Sequence, residues 1–450
     1  MITTENVKVK GKEKSNNSFI WSHALATGGG FMLIQATVAS YFSLFMTDVF
    51  GVPAAALSVI VFIATCWDAI NDPIMGAIAD RTHTRWGRYR PYFILFPALL
   101  AIVSYFLFLA PSGLSDIQKV IYTAVFYILY GMLTTVCTMP LSAVLPAHTK
   151  YDNERNKAVT LGIIFVAISF TIASSFTITF TEILGSYANL MIIYGVLAII
   201  PFLLLFKTSK ERYLVPTGKR SAKQDLKMLL KRKELGSVLV VWCMASLGYG
   251  IMFSASTYYM LYYIARPDLI GQYMLTISMG ALFSMIIAMP ICLKIFKTAQ
   301  ATLKFTQVIS IICYGLLFFF GRNLTMLFVL SFIAAFFASM QQGLINILLN
   351  DTIDYIQLKD GISLNGTLSA VKGFAYKCGT TVSSTVILAV LAATGYVAGA
   401  IGHQPEATLI GINTLRFLIP IIASIIMILC LIIYPIEKHY DEIDEMKKNM

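Results

Sequence analysis

The chain has 450 residues, of which 57% are hydrophobic and 13% are charged, with a mean hydropathy of +0.74 and a formal net charge of +11. Soluble domains usually carry about 25% charged residues, so this composition excludes an ordinary soluble protein and indicates an integral membrane protein. The positive charge fits a cytoplasmic surface against anionic lipid. We therefore expect membrane lipid as a partner and no nucleic acid.

Twelve apolar segments are each long enough to cross a bilayer as a helix, which takes about 20 residues. Their continuous apolar runs favour helices over barrel strands, in which polarity alternates at every second residue. The sequence therefore predicts an all-α integral membrane protein with twelve transmembrane helices. The predicted spans are 19–47, 54–79, 91–110, 117–146, 158–182, 187–206, 237–264, 271–293, 302–320, 324–350, 366–395 and 408–435.

Basic residues collect on one side of these spans, while the opposite loops at 48–53, 111–116 and 185–189 are short and poor in charge. The positive-inside rule then places both termini in the cytoplasm and the protein in the cell membrane. A long basic stretch after span six predicts a linker between two six-helix bundles, a transporter architecture with its site at mid-membrane. The predicted domains are an N-terminal tail 1–18, a bundle 19–206, a central loop 207–236, a bundle 237–435 and a C-terminal tail 436–450.

The most informative feature is a pair of acids, Asp68 and Asp72, inside the apolar segment 58–79. Their spacing of four places both carboxylates on one helix face, where a single charge at bilayer depth costs about 2.5–3.5 kcal/mol. The two repel each other unless a cation lies between them, so the pair predicts a cation site; the alternative is a structural ion pair between helices. Pro73 leaves the carbonyl of Ala69 without its helical donor, and that oxygen is a further candidate ligand.

Polar side chains also line one face of span four and one face of span ten. Thr135, Thr138 and Ser142 are three and four residues apart, and such hydroxyls bind either a ligand or their own helix backbone. Span ten carries amides at the same spacing, which suit sugar hydroxyls or bonds between helices. These amides are Gln342, Asn346 and Asn350, and the spacing continues to Asp354.

Two lysines and a basic loop complete the charged candidates. Lys377 lies well inside span eleven and can neutralise a carboxylate, whereas Lys372 is nearer the cytoplasmic end and can extend to the interface. The loop between spans two and three is both a topology anchor and a candidate inner gate whose arginines grip carboxylates. The gate candidates in the loop are Asp80, Arg81, Arg85 and Arg88.

The motif W-D-A-I-N-D-P-I-M-G at 67–76, followed by T-R-W-G-R at 84–88, resembles the glycoside–pentoside–hexuronide:cation symporters of the major facilitator superfamily. Weaker matches are Y-I-L-Y-G-M at 127–132, D-Y at 354–355 and Y-K-C-G at 376–379. The likeness covers nearly the whole chain. It implies the major facilitator fold and Na⁺- or H⁺-coupled symport of a glycoside, pentoside or hexuronide.

The same resemblance implies roles for single residues. The sugar site departs from the pattern of galactoside-transporting members, since Thr138 replaces an acid, Ser142 and Gln342 replace tryptophans, and Lys372 replaces a glutamine. The added lysine suits an acidic sugar such as a uronide. The implied cation site is Asp68, Asn71, Asp72, Thr135 and Lys377; the candidate substrate site is Thr138, Ser142, Gln342, Asn346, Lys372 and Lys377; Asp351 and Asp354 join the gate.

Two other functions remain open at this stage. A cation-coupled lysolipid or amphiphile carrier would share the fold and the cation motif, although the polar faces of spans four and ten favour sugar. A non-transporting membrane sensor would need a signalling domain, and residues 437–450 are too few for one. No metal-ligand pattern or nucleophile motif is visible, so we expect no enzyme, no catalytic residue, no cofactor besides the transported cation and no obligate protein partner.

Overall fold

A computed structural model describes residues 17–149, 151–213, 233–360 and 365–434. Within these ranges the secondary structure is helical, apart from an isolated bridge between Thr84 and Gly87. The predicted tails and central loop lie largely outside the described residues. The α-helices are α1 Asn17–Gly28, α2 Gly30–Leu44, α3 Ala54–Arg81, α4 Tyr92–Leu107, α5 Asp116–His148, α6 Asp152–Leu184, α7 Tyr187–Thr208, α8 Lys233–Tyr258, α9 Ile270–Phe283, α10 Met289–Phe296, α11 Ala299–Phe320, α12 Leu324–Ser339, α13 Gln341–Asp360, α14 Asn365–Ala393, α15 Glu406–Asn413 and α16 Ile419–Ile433.

Ten helical segments of the described chain are long and apolar enough to cross a membrane. Every predicted span coincides with helix, but at spans two and three the apolar helical stretches, Ala54–Asp68 and Tyr92–Leu107, are shorter. In α3 the helix itself continues to Arg81, and the acids that begin at Asp68 end its apolar part. The fold is thus all-helical and multi-spanning, while a total of twelve crossings stays a prediction.

Four π-helical turns lie in the described chain, and such wider turns often mark functional positions; two of them end α2 and α8, and two join α9 to α10 and α15 to α16. These turns lie at Phe45–Val49, Tyr259–Tyr263, Ser284–Ala288 and Thr414–Leu418. The first two turns contact each other, because the hydroxyl of Tyr262 donates to the carboxylate of Asp48.

The buried apolar side chains divide near the central loop. Those of α1 to α7, together with Leu388 of α14, form one cluster, and those from α8 onward, joined by two residues of α2, form two more. Helix α2 belongs to both sides, since its Tyr41 and Leu44 pack in a cluster of the later helices. The two parts of the chain, α1 to α7 and α8 to α16, are called the two halves below. They are brought together by the contacts of α2 with α8, α3 with α14 and α6 with α9.

Glycines allow the first helices to pack unusually close to their neighbours. A Cβ at Gly28 would lie 2.3 Å from the backbone nitrogen of Val166 in α6, and one at Gly30 would lie 2.2 Å from that of Ala198 in α7. Any side chain at either position would push whole helices apart. This close packing holds α1 and α2 in place beside the interior of the molecule.

Candidate functional site: a charged cavity between the halves

A cavity of about 270 Å³ lies among six helices, α2, α3, α5, α6, α8 and α14. It thus takes side chains from both parts of the chain, and its volume is just below the usual range of small-molecule sites, about 300–1,000 Å³. Among its described lining residues, the charged ones are Asp68 and Lys377. The cavity therefore meets the acidic pair of α3 at its edge.

A three-helix ionic cluster forms beside the cavity. The Nζ atom of Lys377 in α14 lies 2.6 Å from Oδ2 and 2.7 Å from Oδ1 of Asp72 in α3. The same Nζ lies 3.9 Å from Oδ2 of Asp68, beyond hydrogen-bond reach. From α5, the hydroxyl of Thr135 donates to Oδ1 of Asp72 at 2.8 Å. Two carboxylates thus face one ammonium, with a fixed charge of −1 when all three are ionised.

The backbone of α5 and a buried amide complete the surroundings of the acids. Asn71 is 4% exposed, and its Nδ2 atom is buried without a hydrogen-bond partner. A Cβ at Gly131 would lie only 2.9 Å from Oδ1 of Asp68, so this glycine makes room for the carboxylate. An unpartnered NH2 group needs an acceptor, such as a ligand hydroxyl or a water, whereas a cation would be bound by the amide oxygen.

Aromatic side chains form two walls of the cavity. Phe42 and Tyr127 stack with their ring centroids 4.4 Å apart and their planes 10° apart. On the other side, Phe253 packs edge-on against Phe170 at 4.6 Å and contacts Tyr249 at 5.1 Å. Flat apolar surfaces combined with a few polar groups are typical of sites for small organic molecules.

Comparison with known proteins gives the family. The model of the MFS/sugar transport protein family matches residues 25–438. The chain belongs to that family. It is 26% identical over 419 residues to the isoprimeverose transporter of Lactiplantibacillus pentosus, covering 89% of this chain and 85% of the relative. It is 27% identical over 402 residues to the inner membrane symporter YicJ of Escherichia coli (strain K12), covering 88% and 86%.

A solved structure agrees at the level of the fold. A bacterial homolog of the human lysosomal transporter Spinster, in an inward-facing and unoccupied conformation, superposes with a TM-score of 0.69 at 15% identity, covering 94% of this chain and 97% of that one. These findings confirm the predicted superfamily. The protein is a multi-pass cell-membrane transporter of the MFS/sugar transport family and not an enzyme.

Further polar groups of this transporter's cavity were missed by the sequence analysis. Thr381 donates to the hydroxyl of Thr65 at 2.9 Å across α14 and α3, and both residues line the cavity. Helical spacing could have found them, because Thr65 precedes Asp68 by three residues and Thr381 follows Lys377 by four. The remaining polar lining includes Gln35, Ser43, Thr134, Thr380 and Ser384.

The predicted substrate residues divide into two groups. Lys377 lines the cavity, whereas Thr138, Ser142, Gln342 and Asn346 lie outside its described lining. The hydroxyls of Thr138 and Ser142 donate to carbonyls of their own helix at 2.9 and 3.0 Å, and Nδ2 of Asn346 donates to the carbonyl of Gln342 at 2.7 Å. A direct role of these four in binding stays a prediction; the side chain of Lys372 lies outside the described residues.

The basic loop of the transporter is anchored by an acid that the sequence analysis missed. The carboxylate of Glu211, after α7, accepts from the backbone nitrogens of Arg88, Tyr89 and Arg90 at 2.7, 2.8 and 3.0 Å. Because these donors are backbone groups, Glu211 fixes the shape of the loop, and the guanidinium of Arg90 adds a second anchor by donating to the carbonyl of Phe206 at 2.8 Å.

The other gate candidates are placed as follows. Arg81 is exposed, and the guanidinium of Arg85 lies 4.7 Å from the ring centroid of Trp86. Asp351 is half-buried midway along α13. The gate role stays a prediction, and the side chains of Asp80 and Asp354 lie outside the described residues.

A second polar cluster, built around the carboxylate of Asp48, joins the halves at the end of the first span. Asp48 accepts hydrogen bonds from the hydroxyls of Tyr262 and Tyr396, the latter at 2.6 Å, and from the backbone nitrogen of Gly399 at 3.1 Å. Thr47 donates to the same carboxylate at 2.6 Å. The sequence analysis had assigned Asp48 only to a short loop on the face opposite the cytoplasm.

Proposed function

We propose that this transporter is a secondary active symporter that couples entry of Na⁺ or H⁺ to uptake of a glycoside, pentoside or hexuronide by alternating access. In this proposal twelve spans form bundles 19–206 and 237–435 around the cavity, and both termini lie in the cytoplasm. The division of the buried apolar clusters near the central loop supports two bundles. The sugar class is supported by the similarity to the isoprimeverose transporter.

The observation that carries the proposal is the bond between Lys377 and Asp72, because it joins α14 to α3 across the two halves. A mobile cation between Asp68 and Asp72 would compete with the ammonium for the same carboxylate oxygens. The hydroxyl oxygen of Thr135 can bind the cation through its lone pairs while the hydroxyl still donates its hydrogen bond to Asp72. Cation binding therefore alters a contact between the halves, which is what a coupled transporter needs.

The sugar would occupy the adjoining cavity, where hydroxyl and amide side chains face aromatic walls. Because the cation and the sugar share Asp68 and Lys377 as neighbours, each changes the free energy of binding of the other. That coupling is reciprocal, so each raises the affinity of the other by the same factor.

Uptake into proteoliposomes tests the proposal, with a panel of α- and β-glycosides, pentosides and hexuronides and with imposed Na⁺ or H⁺ gradients. We expect concentrative uptake of at least one sugar by the native protein and none by Asp68→Cys or Asp72→Cys. The matched control is Asp116→Asn, which changes an exposed acid at the start of α5. Concentrative uptake that survives either cysteine substitution would contradict the cation site.

Two further measurements define the coupling ion and the cargo. Sodium dependence of uptake at fixed pH separates Na⁺ coupling from H⁺ coupling. Competition by a lysolipid at concentrations below its micellar range would instead favour the amphiphile carrier, because an acyl chain needs a continuous apolar path and hydroxyl and amide side chains interrupt the apolar lining of this cavity.

A further inference from the structure

The uncharged polar side chains of the cavity differ in whether their hydrogen-bonding groups are already used. On α14, the hydroxyls of Thr380, Ser383 and Ser384 donate to carbonyls of their own helix. On α3, Thr65 donates in the same way to the carbonyl of Val61 at 3.1 Å. A hydroxyl has one proton and two lone pairs, so in this arrangement these four side chains present acceptors to the cavity.

Gln35 of α2 is in the opposite situation. Its side chain is half-buried and lines the cavity, and its amide makes no hydrogen bond to any residue that the structure describes. A carboxamide carries two N–H donors and an acceptor oxygen with two lone pairs. Gln35 can therefore offer a ligand the protons that the hydroxyls of α14 have already given to their own helix.

The face of α2 around Gln35 is apolar. The cavity-lining side chains of this helix up to Phe42 recur at spacings of three and four residues, and Gln35 is the polar one among Met32, Gln35, Val38, Ala39 and Phe42. Water can satisfy the amide while no substrate is bound. A substrate that displaces such water loses affinity unless it supplies the same hydrogen bonds, so the amide selects for a substrate with a polar group at this position.

A sugar fits this division of donors and acceptors. Each sugar hydroxyl can donate one hydrogen bond and accept others, so one sugar can donate to the hydroxyls of α14 and accept from Gln35 at the same time. Because α2 and α14 belong to different halves, a sugar bound in this way connects them. An acyl chain would instead leave the amide without a partner, which costs free energy once water is excluded.

We propose that Gln35 is a substrate-binding residue that donates a hydrogen bond to one hydroxyl of the sugar and thereby sets which arrangement of hydroxyls the cavity accepts. This inference rests on the proposed symport function and adds a specificity-determining residue to it. The role concerns the sugar alone, so cation binding in the absence of sugar does not depend on Gln35.

The test removes the hydrogen bond from either side, by changing the protein or the sugar. The ligands are the sugar that the native protein accumulates most in the uptake panel and its monodeoxy analogues, each of which lacks one hydroxyl. The variant is Gln35→Met, which keeps the length of the side chain and removes the amide. Calorimetric titration into the purified proteins gives the affinity lost with each hydroxyl.

We expect at least one analogue to bind the native protein about 5-fold more weakly than the parent sugar, or weaker still. Gln35→Met should bind the parent sugar and that same analogue with nearly equal affinities, because the hydroxyl has lost its partner. Gln35→Asn draws the amide back by one carbon and should also bind the parent sugar more weakly than the native protein.

Two controls separate sugar binding from a structural role. Gln272→Met changes an exposed amide of α9 and should leave every affinity at its native value. Thermal unfolding with and without the coupling cation should be the same in Gln35→Met and the native protein. Loss of stability or of cation binding in Gln35→Met and Gln35→Asn alike would assign Gln35 to the fold and overturn the inference.

The outcomes also distinguish this inference from the symport function. If every hydroxyl costs Gln35→Met the same affinity as it costs the native protein, Gln35 does not bind the sugar, and the symport function stands. If the native protein accumulates no sugar under either cation gradient, both are overturned.

Discussion

Carboxylates tie the two halves together at two levels, and the charges of their partners differ. At the end of the first span, Asp48 accepts from neutral donors, the hydroxyls of Tyr262 and Tyr396 among them. At mid-span, Asp72 is paired with the ammonium of Lys377. A mobile cation can replace an ammonium beside a carboxylate, but it cannot replace a hydroxyl or amide donor without changing the charge. The Asp72 cluster is therefore expected to respond to the driving ion directly, and the Asp48 cluster only through movement of the helices.

The largest effect is expected from removing one charge of the mid-span pair. Asp72→Asn leaves the ammonium of Lys377 without its close partner. Because the two side chains are 32% and 22% exposed, we expect a cost below that of breaking a fully buried pair, which is about 3–5 kcal/mol. The double variant Asp72→Asn/Lys377→Gln removes both charges and should recover most of the lost stability while uptake stays abolished. Thermal unfolding of the purified variants, with uptake measured in parallel, checks this expectation. A double variant as unstable as the single one would show that charge pairing is not what stabilises the cluster.

The Asp48 cluster should behave differently. Asp48→Asn replaces one acceptor oxygen by an NH2 donor that faces the hydroxyl and N–H donors of the cluster. At least one hydrogen bond to a charged acceptor is therefore lost, and such a bond contributes about 1.5–3 kcal/mol. We expect the cavity to open at the Asp48 face about 10-fold more often, or more. Uptake should be retained, with a changed half-saturating concentration of sugar. The readout is labelling by an impermeant maleimide of a cysteine introduced at Ser43, which lines the cavity.

The matched control for this experiment is Asp268→Asn. Asp268 is an exposed acid paired with Arg266 at 2.7 Å, and solvent screens such a pair. The maleimide should label the Ser43 cysteine at the native rate in that variant. An unchanged rate in Asp48→Asn would mean that the cluster does not hold this face closed.

The sequence predicted most of the mid-span cluster and little of the Asp48 cluster, for physical reasons. Asp68 and Asp72 are charged groups in an apolar helix, so their cost in lipid identifies them without a structure, and helical spacing places them on one face. Asp48 sits at a helix end, where an acid costs little and gives no signal. Its partner Tyr262 is 214 residues away, and only the tertiary fold brings the two together.

Charge at membrane depth is nevertheless an incomplete indicator of function. Arg416 is 1% exposed in the last span, so the rule that selected Asp68 would have selected it too. Its guanidinium lies 5.0–5.9 Å from the ring centroids of Phe417, Tyr273 and Tyr314 and donates to the hydroxyl of Tyr273 at 3.1 Å. Aromatic faces stabilise this cation in place. What distinguishes Asp68 from Arg416 is the cavity beside it, which no spacing rule reveals.

The hydrogen bond from Thr135 to Asp72 gives a separate test of cation binding at the mid-span cluster. Thr135→Val removes the bond to Asp72 without changing the shape of the side chain, and a bond to a charged group is worth about 1.5–3 kcal/mol. We expect the half-saturating cation concentration to rise about 10-fold or more, while Thr135→Ser keeps the hydroxyl and stays near the native value. Cation titrations of uptake measure both. A serine variant as impaired as the valine variant would assign the effect to the methyl group and its packing.

The smallest expected effect tests the space around Asp68. Gly131→Ala places a methyl group 2.9 Å from Oδ1 of Asp68, so the carboxylate must move by a few tenths of an ångström. The exchange also favours the helix by about 0.5–1 kcal/mol, so the variant should be at least as stable as the native protein. The half-saturating cation concentration should nevertheless rise by a factor of about 3. Gly315→Ala in α11 is the control, because, among the described residues, a Cβ there would meet nothing within 4 Å beyond the backbone of its own helix. If Gly131→Ala gains stability but loses cation affinity, and Gly315→Ala keeps its cation affinity, then cation binding depends on the position of the Asp68 carboxylate and not on the stability of the helix. If both variants bind the cation equally well, the position of this carboxylate does not limit cation binding.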